Sequence, residues 1–166
     1  MLHKINSYLG TKLKNSQVWS WTLFRLLVSA MFVTHGFAKL FGENPQAFMG
    51  SGMTSINIGE LISIPMPLAI NALFVAGGIE LVGGFLLLIG LCTHLIAIIA
   101  LFSTVMAFLI AHLAWFPTLN GGELATMYIL CFLILLTYGA GPHSVDSWLE
   151  QRHQKKEKKK MEAAAE

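Results

Sequence analysis

Residues 68–91 read LAINALFVAGGIELVGGFLLLIGL, and Glu80 is the one formal charge among them. A run of this length meets the roughly 20 apolar residues needed to cross the hydrocarbon core of a bilayer. Inside lipid the backbone must satisfy its own hydrogen bonds, so the stretch is expected to be a spanning helix. A carboxylate near the centre of such a helix costs about 2.5–3.5 kcal/mol on insertion scales. It therefore faces a partner or a polar cavity inside the protein, and an intramembrane charge marks a functional position by default. Gly77 and Gly84 lie three before and four after Glu80, on the same helical face, where neighbouring backbones can come close.

The rest of the chain repeats the pattern. With 55% hydrophobic and 12% charged residues and a mean hydropathy of +0.63, it reads as an integral membrane protein of one domain. The expected fold is all-α: an integral membrane four-helix bundle spanning 19–146, with spans at about 19–41, 68–91, 95–115 and 123–139. Trp19 and Trp21 suit an interfacial start to the first span. Before it, Leu2, Ile5, Leu9 and Leu13 recur at helical spacing in a leader, 1–18, that reads either as an amphipathic surface helix or as a disordered segment. Residues 42–67 form the longest connection, broken by Asn44-Pro45, Gly50-Ser51-Gly52 and the prolines at 65 and 67. Within it, 45–49 and 56–64 are expected to be short helical pieces at the membrane interface. Cys92 and Cys131 show neither CxxC nor metal-ligand spacing and read as isolated thiols.

Lysines set the orientation. Lys4, Lys12 and Lys14 precede the first span, and the tail, 147–166, carries Lys155, Lys156, Lys158, Lys159 and Lys160. The 42–67 loop has no lysine or arginine. The positive-inside rule places both termini in the cytoplasm and the long loop outside. The tail is expected to lie on anionic lipid headgroups rather than on nucleic acid, because no aromatic residue is interleaved with the lysines of 155–160.

With depths assigned, the polar residues form a column opening outward. Lys39, His112 and Glu123 stand at its mouth, His35 beneath them, Glu80 at the floor and Arg25 below it. Arg25, His35 and Lys39 share about a third of one helix circumference. Arg25 and Lys39 can each snorkel to an interface, or Arg25 can pair with Glu80. Glu123 also has a structural explanation, since an acid at a helix N-terminus is favoured by the macrodipole. Three uses of the column follow from its chemistry: proton exchange with a quinone-like ring, passage of an ion or substrate, or mutual satisfaction that fixes the bundle's register. The two histidines sit at different depths and lack flanking signals, so neither haem nor a permanent metal is expected.

Three segments carry a family resemblance. They are Arg25…His35-Gly36-Phe-Ala-Lys39-Leu40, Glu80-Leu-Val-Gly83-Gly84 with the run to Gly90-Leu91, and Gly139-Ala-Gly141-Pro-His-Ser144-Val-Asp146. Together they resemble the DoxX family of small four-helix bacterial membrane proteins over about residues 20–148. The closing motif departs from the family's usual Gly-Pro-Gly plus basic residue, with Ala140 and Pro142 in those places. The resemblance implies an inner-membrane protein of oxidoreductase type, because the family is named for a thiosulfate:quinone oxidoreductase subunit and some members serve complexes handling thiol or oxidative stress. By that analogy Arg25, His35, Lys39 and Glu80 match the family's polar pattern. The chain has no dinucleotide fingerprint, redox cysteine pair or haem motif. Electrons are then expected from a partner redox protein or through a bound quinone. Glu80 and His35 would handle protons and Arg25 would hold Glu80 ionised, with Lys39, His112 and Glu123 lining the pocket. The alternative is a non-enzymatic small-molecule transporter-like or scaffold membrane protein with an outward polar pocket, and a transporter of this size would need to be a homo-oligomer.

Overall fold

The computed structural model describes residues 1–46, 55–58, 62–65 and 71–164. Helix α1, Leu2–Leu13, is exposed along its length and runs through a short 3₁₀ turn into α2, Gln17–Phe41. Two strands follow, β1 at Ser55–Ile58 and β2 at Ile62–Pro65, paired antiparallel with Ile56 opposite Ile64. The chain then enters α3, Ala72–Gly78, widens into a π turn at Ile79–Gly83 and continues as α4, Gly84–Ile89. Helix α5, Thr93–Ala111, α6, Glu123–Tyr138, and α7, Val145–Ala164, complete the order.

Three of these helical stretches are long and apolar enough to cross a membrane: Gln17–Phe41, Ala72–Ile89 and Thr93–Ala111. Helix α6 is apolar but shorter, at 16 residues. Helix α2 packs along α3, the π turn and α4, while α5 packs along α6 and touches the π turn and α4. The core between the two pairs is built from Val28 and Phe32 of α2, Leu87 of α4, Ala97 and Ala100 of α5, and Tyr128, Phe132 and Leu135 of α6. Phe32 meets Phe132 edge-on with centroids 4.7 Å apart. Large apolar side chains such as Leu27, Phe85, Ile98, Phe102 and Leu133 point outward instead. That distribution suits a lipid solvent, in which outward apolar surface carries no penalty.

Two expected elements differ. In place of the helical piece expected within 56–64, Ser55–Ile58 and Ile62–Pro65 are strands that alternate isoleucine with small polar residues, a period of two that fits a pleated pair. Of the other expected piece, 45–49, residues 47–49 lie outside the described residues. The third span ends at Ala111 rather than near Trp115. Phe116 precedes Pro117 and is held extended at φ −139° and ψ 140°, as a residue before proline must be, so the helix stops short of it.

The α2 and α3–α4 backbones come into near contact at glycines. A methyl group built on Gly36 would sit 2.3 Å from the Leu81 amide nitrogen and 2.8 Å from the Glu80 carbonyl carbon. One on Gly84 would meet the Val33 side chain at 2.7 Å. No rotamer change can relieve a backbone clash. Gly36→Ala is therefore expected to lower detergent-solubilised stability by about 1–3 kcal/mol, or to halt folding. Gly10→Ala, where nothing lies within 4 Å, should be neutral or slightly stabilising in the same thermal-melt assay.

Candidate functional site

The backbone contact at Gly36 sets what lies one turn further along α2. Lys39 is three residues on, and its ammonium forms an ion pair with Glu80 Oε1. Glu80 itself sits in the π turn, where the extra residue per turn re-aims side chains and where functional groups recur. The frame behind the pair is hydrogen-bonded. Gln46 N–H donates to the Lys39 carbonyl at 2.9 Å, and Asn71 Nδ2 donates to Gln46 Oε1 at 2.9 Å. Asn71 Oδ1 in turn accepts from the amides of Leu73 and Phe74, capping α3 just ahead of the π turn. The chain leaving α2 is thus tied to the chain entering α3.

The pair is asymmetric. The Lys39 side chain is 31% exposed and that of Glu80 11%, so the site is reached from the lysine side. Glu80 Oε2 is buried and has no hydrogen-bond partner among the described residues. The same holds for the Tyr128 hydroxyl, on α6. Tyr128 stacks against Phe132, and His35 meets it edge-on at 5.7 Å and 88°. His35 is exposed and makes no hydrogen bond among the described residues.

Arg25 does not pair with Glu80. It is 1% exposed and donates to four main-chain carbonyls: Nε to Ala140 at 3.0 Å, Nη1 to Leu87 at 2.7 Å and to Leu88, and Nη2 to His143 at 2.7 Å. The reason is positional. Leu87 and Leu88 end α4, where unsatisfied carbonyls and the negative end of the macrodipole attract a cation. Gly90, left-handed at φ 68°, turns the chain away there, and a side chain on it would press against the guanidinium. Lys39, expected to snorkel, is the cation that Glu80 receives.

The segment 139–146 completes this second cluster. Trp21 Nε1 donates to the Gly139 carbonyl at 3.2 Å, and Thr22 Oγ1 and His143 Nδ1 share a hydrogen bond of 3.1 Å. Asp146 accepts from the amides of Cys92 at 2.7 Å and Thr93 at 2.9 Å, capping α5 from a distant part of the chain. The closing motif is therefore a clasp that joins α2, α4, α5 and α6 at the end bearing both termini. Two clefts of about 580 and 560 Å³ lie at this end, and neither is lined by Lys39, Glu80 or Tyr128.

His112 and Glu123 stand apart from the pair. His112 ends α5, with Nδ1 2.9 Å from the Asn120 carbonyl, and supports the turn into α6. Glu123 is exposed on the first turn of α6 and makes no hydrogen bond or ion pair among the described residues. Of the expected column, the structure brings Lys39 to Glu80 and His35 to the Tyr128 ring on α6. Tyr128 was missed because a tyrosine in an apolar run reads as core. The orphaned hydroxyl that distinguishes it is visible only once the helices are packed.

Two predictions follow from these contacts. Burial alone would raise the Asp146 carboxyl, but the hydrogen bonds from the amides of Thr93 and Cys92 outweigh it and hold the group below its ordinary 3.8. Its stabilisation is thus present above that value and is lost as pH falls through the lower folded value. The stability gap between wild type and Asp146→Asn should be constant at neutral pH and close under strong acid, read by pH-dependent melts. At the ion pair, Lys39→Met or Glu80→Gln leaves one polar partner stranded. Each single change should destabilise by an amount near or below the roughly 3–5 kcal/mol typical of buried pairs, given the partly exposed lysine. The double variant should recover much of that loss, as a double-mutant cycle would register.

Comparison with known proteins adds the following. The family model described as DoxX matches residues 20–113. An uncharacterized protein of Haemophilus influenzae is 38% identical over 128 residues, covering 74% of this chain and 85% of that protein. No solved structure gives a significant match.

Proposed function

Because the chain belongs to the DoxX family, we propose that it is a quinone-interacting subunit of a membrane oxidoreductase system concerned with thiosulfate, thiols or oxidative stress. Its setting in this reading is the bacterial inner membrane, with α6 as the fourth crossing and both lysine-rich termini in the cytoplasm. The observation that carries the reading is the Glu80 carboxylate: one oxygen is held by Lys39 and the other is buried with no partner among the described residues. A buried acceptor left unpaired is costly, by about 1–3 kcal/mol or more for a charged group, and a ligand hydrogen-bond donor removes that cost.

The residues present suit a quinone headgroup. When bound, it would supply proton-coupled two-electron chemistry, with the electrons exchanged with a partner redox protein. The chain's own groups do the rest. Lys39 compensates the charge of Glu80, Oε2 accepts or returns a ring proton, and His35 stands one helical turn from Lys39 on the exposed side of α2 to exchange it with the surroundings. Arg25 takes no part in this chemistry; it fixes the helices that carry it. Outward apolar faces let a lipid-soluble ring approach sideways from the membrane.

The test is purification into lipid nanodiscs, followed by extraction and mass spectrometry of what remains bound. Wild type is expected to retain ubiquinone or menaquinone well above its share of bulk lipid. Glu80→Gln, still folded by circular dichroism, should retain at least tenfold less. Wild type carrying only bulk lipid, unchanged by the substitution, would sink the proposal in favour of a transporter-like or scaffold role.

A further inference from the structure

Between Glu80 and Glu123 the chain carries no formal charge, and the connection from α5 to α6, residues 112–122, closes that stretch with HLAWFPTLNGG. Its large apolar side chains are turned outward: Trp115 is 95% and Leu119 70% exposed, and Leu113 and Phe116 are exposed as well. We propose that this connection is a membrane-interface anchor with phospholipid as its partner. Its apolar tip lies where acyl chains meet headgroups, in the leaflet opposite the end that bears both termini. The inference goes beyond the quinone reading and does not depend on it.

The turn is built to hold those side chains out. Pro117–Asn120 forms a 3₁₀ turn, in which the Leu119 amide donates to the Phe116 carbonyl at 3.0 Å and the Gly122 amide to the Pro117 carbonyl at 2.8 Å. His112 Nδ1, 2.9 Å from the Asn120 carbonyl, ties the turn to the end of α5. Its base is packed, since a methyl group on Gly122 would meet the Phe108 ring at 2.7 Å and the His112 β-carbon at 3.1 Å. The inner side is thus occupied, and Trp115, Phe116 and Leu119 stand on the outer one. Leu124 and Met127, exposed at the start of α6, continue the same apolar surface down the side of the bundle.

Helix length sets the depth. The 16 residues of α6 rise about 24 Å, against a hydrocarbon core of about 30 Å. Its far end is fixed, because the Gly139 carbonyl accepts from Nε1 of Trp21, a residue type that settles at headgroup level. The shortfall therefore falls at the α5–α6 connection and draws it down to the boundary. Two features stop it from sinking deeper. Glu123, exposed on the first turn of α6, needs headgroups or water, so the bilayer thins locally to meet it. The amides of Leu113, Ala114, Trp115 and Phe116 have no acceptor among the described residues, a state that hydrocarbon does not tolerate and an interface does. With no charge on the loop, a zwitterionic lipid suffices as partner.

Tryptophan quenching in phosphatidylcholine nanodiscs tests this. Subtracting the emission of Trp115→Phe from that of wild type isolates Trp115 from Trp19, Trp21 and Trp148. A side chain so exposed can be replaced with no change in melting temperature, and Trp115→Tyr gives the same subtraction where the phenylalanine variant misfolds. Phosphatidylcholine brominated near the carbonyl end of its acyl chains is expected to remove about half of the difference emission or more. Bromines near the chain terminus should remove less, and aqueous iodide very little. Quenching by iodide and not by brominated lipid would put the tip in water and overturn the inference. Protection from both would put it against protein, a second copy or another partner, and overturn it equally. Strongest quenching by the terminal bromines would put the loop in hydrocarbon and overturn the interfacial placement. The quinone reading has a separate readout, the retained ring, and no outcome here alters it.

Discussion

Taking the Glu80 carboxylate out of water leaves a charge that lipid tails cannot stabilise, so the bundle depends on the ammonium of Lys39 reaching it. That reach is set by backbone, not by side chains. With no β-carbon at Gly36, the α2 main chain closes on Glu80 and Leu81 to a distance that any other residue would prevent. The π turn then presents Glu80 to the lysine on α2. Ion pair, glycine contact and π turn form one unit, and loosening any of them moves the carboxylate.

The two cations on α2 divide the work according to their chemistry. Arg25 has a rigid fork of donors and no need of a carboxylate, so it gathers carbonyls from α4 and the 140–143 segment into a single joint. Lys39 is a compact charge on a flexible stem, able to neutralise Glu80 while staying partly exposed. Exchanging them would serve neither place: a lysine cannot serve carbonyls in four directions, and an arginine would fill the approach to Glu80. Rigid joinery thus sits at the end with both termini and a reachable charge sits further along α2.

Much of this was legible in the residues alone. The apolar runs located the helices, because lipid requires long uninterrupted spans and the penalty on charge singled out Glu80. Gly77 and Gly84 announced the close contact through their shared face. Partner choice was not legible. Arg25 and Lys39 occupy the same sector of α2, and which one meets Glu80 depends on how far α2 slides along α3–α4, a register fixed by Gly36 in three dimensions. The π turn was hidden as well, since four glycines around Glu80 permit it without dictating it. The strand pair Ser55–Ile58 and Ile62–Pro65 was misread because overall apolarity was weighed before its period of two.

The long sequence separations at Arg25 carry a consequence for biogenesis. Helix α2 leaves the ribosome early, yet two of the carbonyls that receive its guanidinium lie 115 and 118 residues downstream, and the other two 62 and 63. Throughout synthesis of the intervening helices that charge has only part of its final coordination. It is completed when the chain after α6 emerges. The segment after α6 therefore locks α2 in place, so the bundle reaches its final packing only once residues 140–143 have been translated.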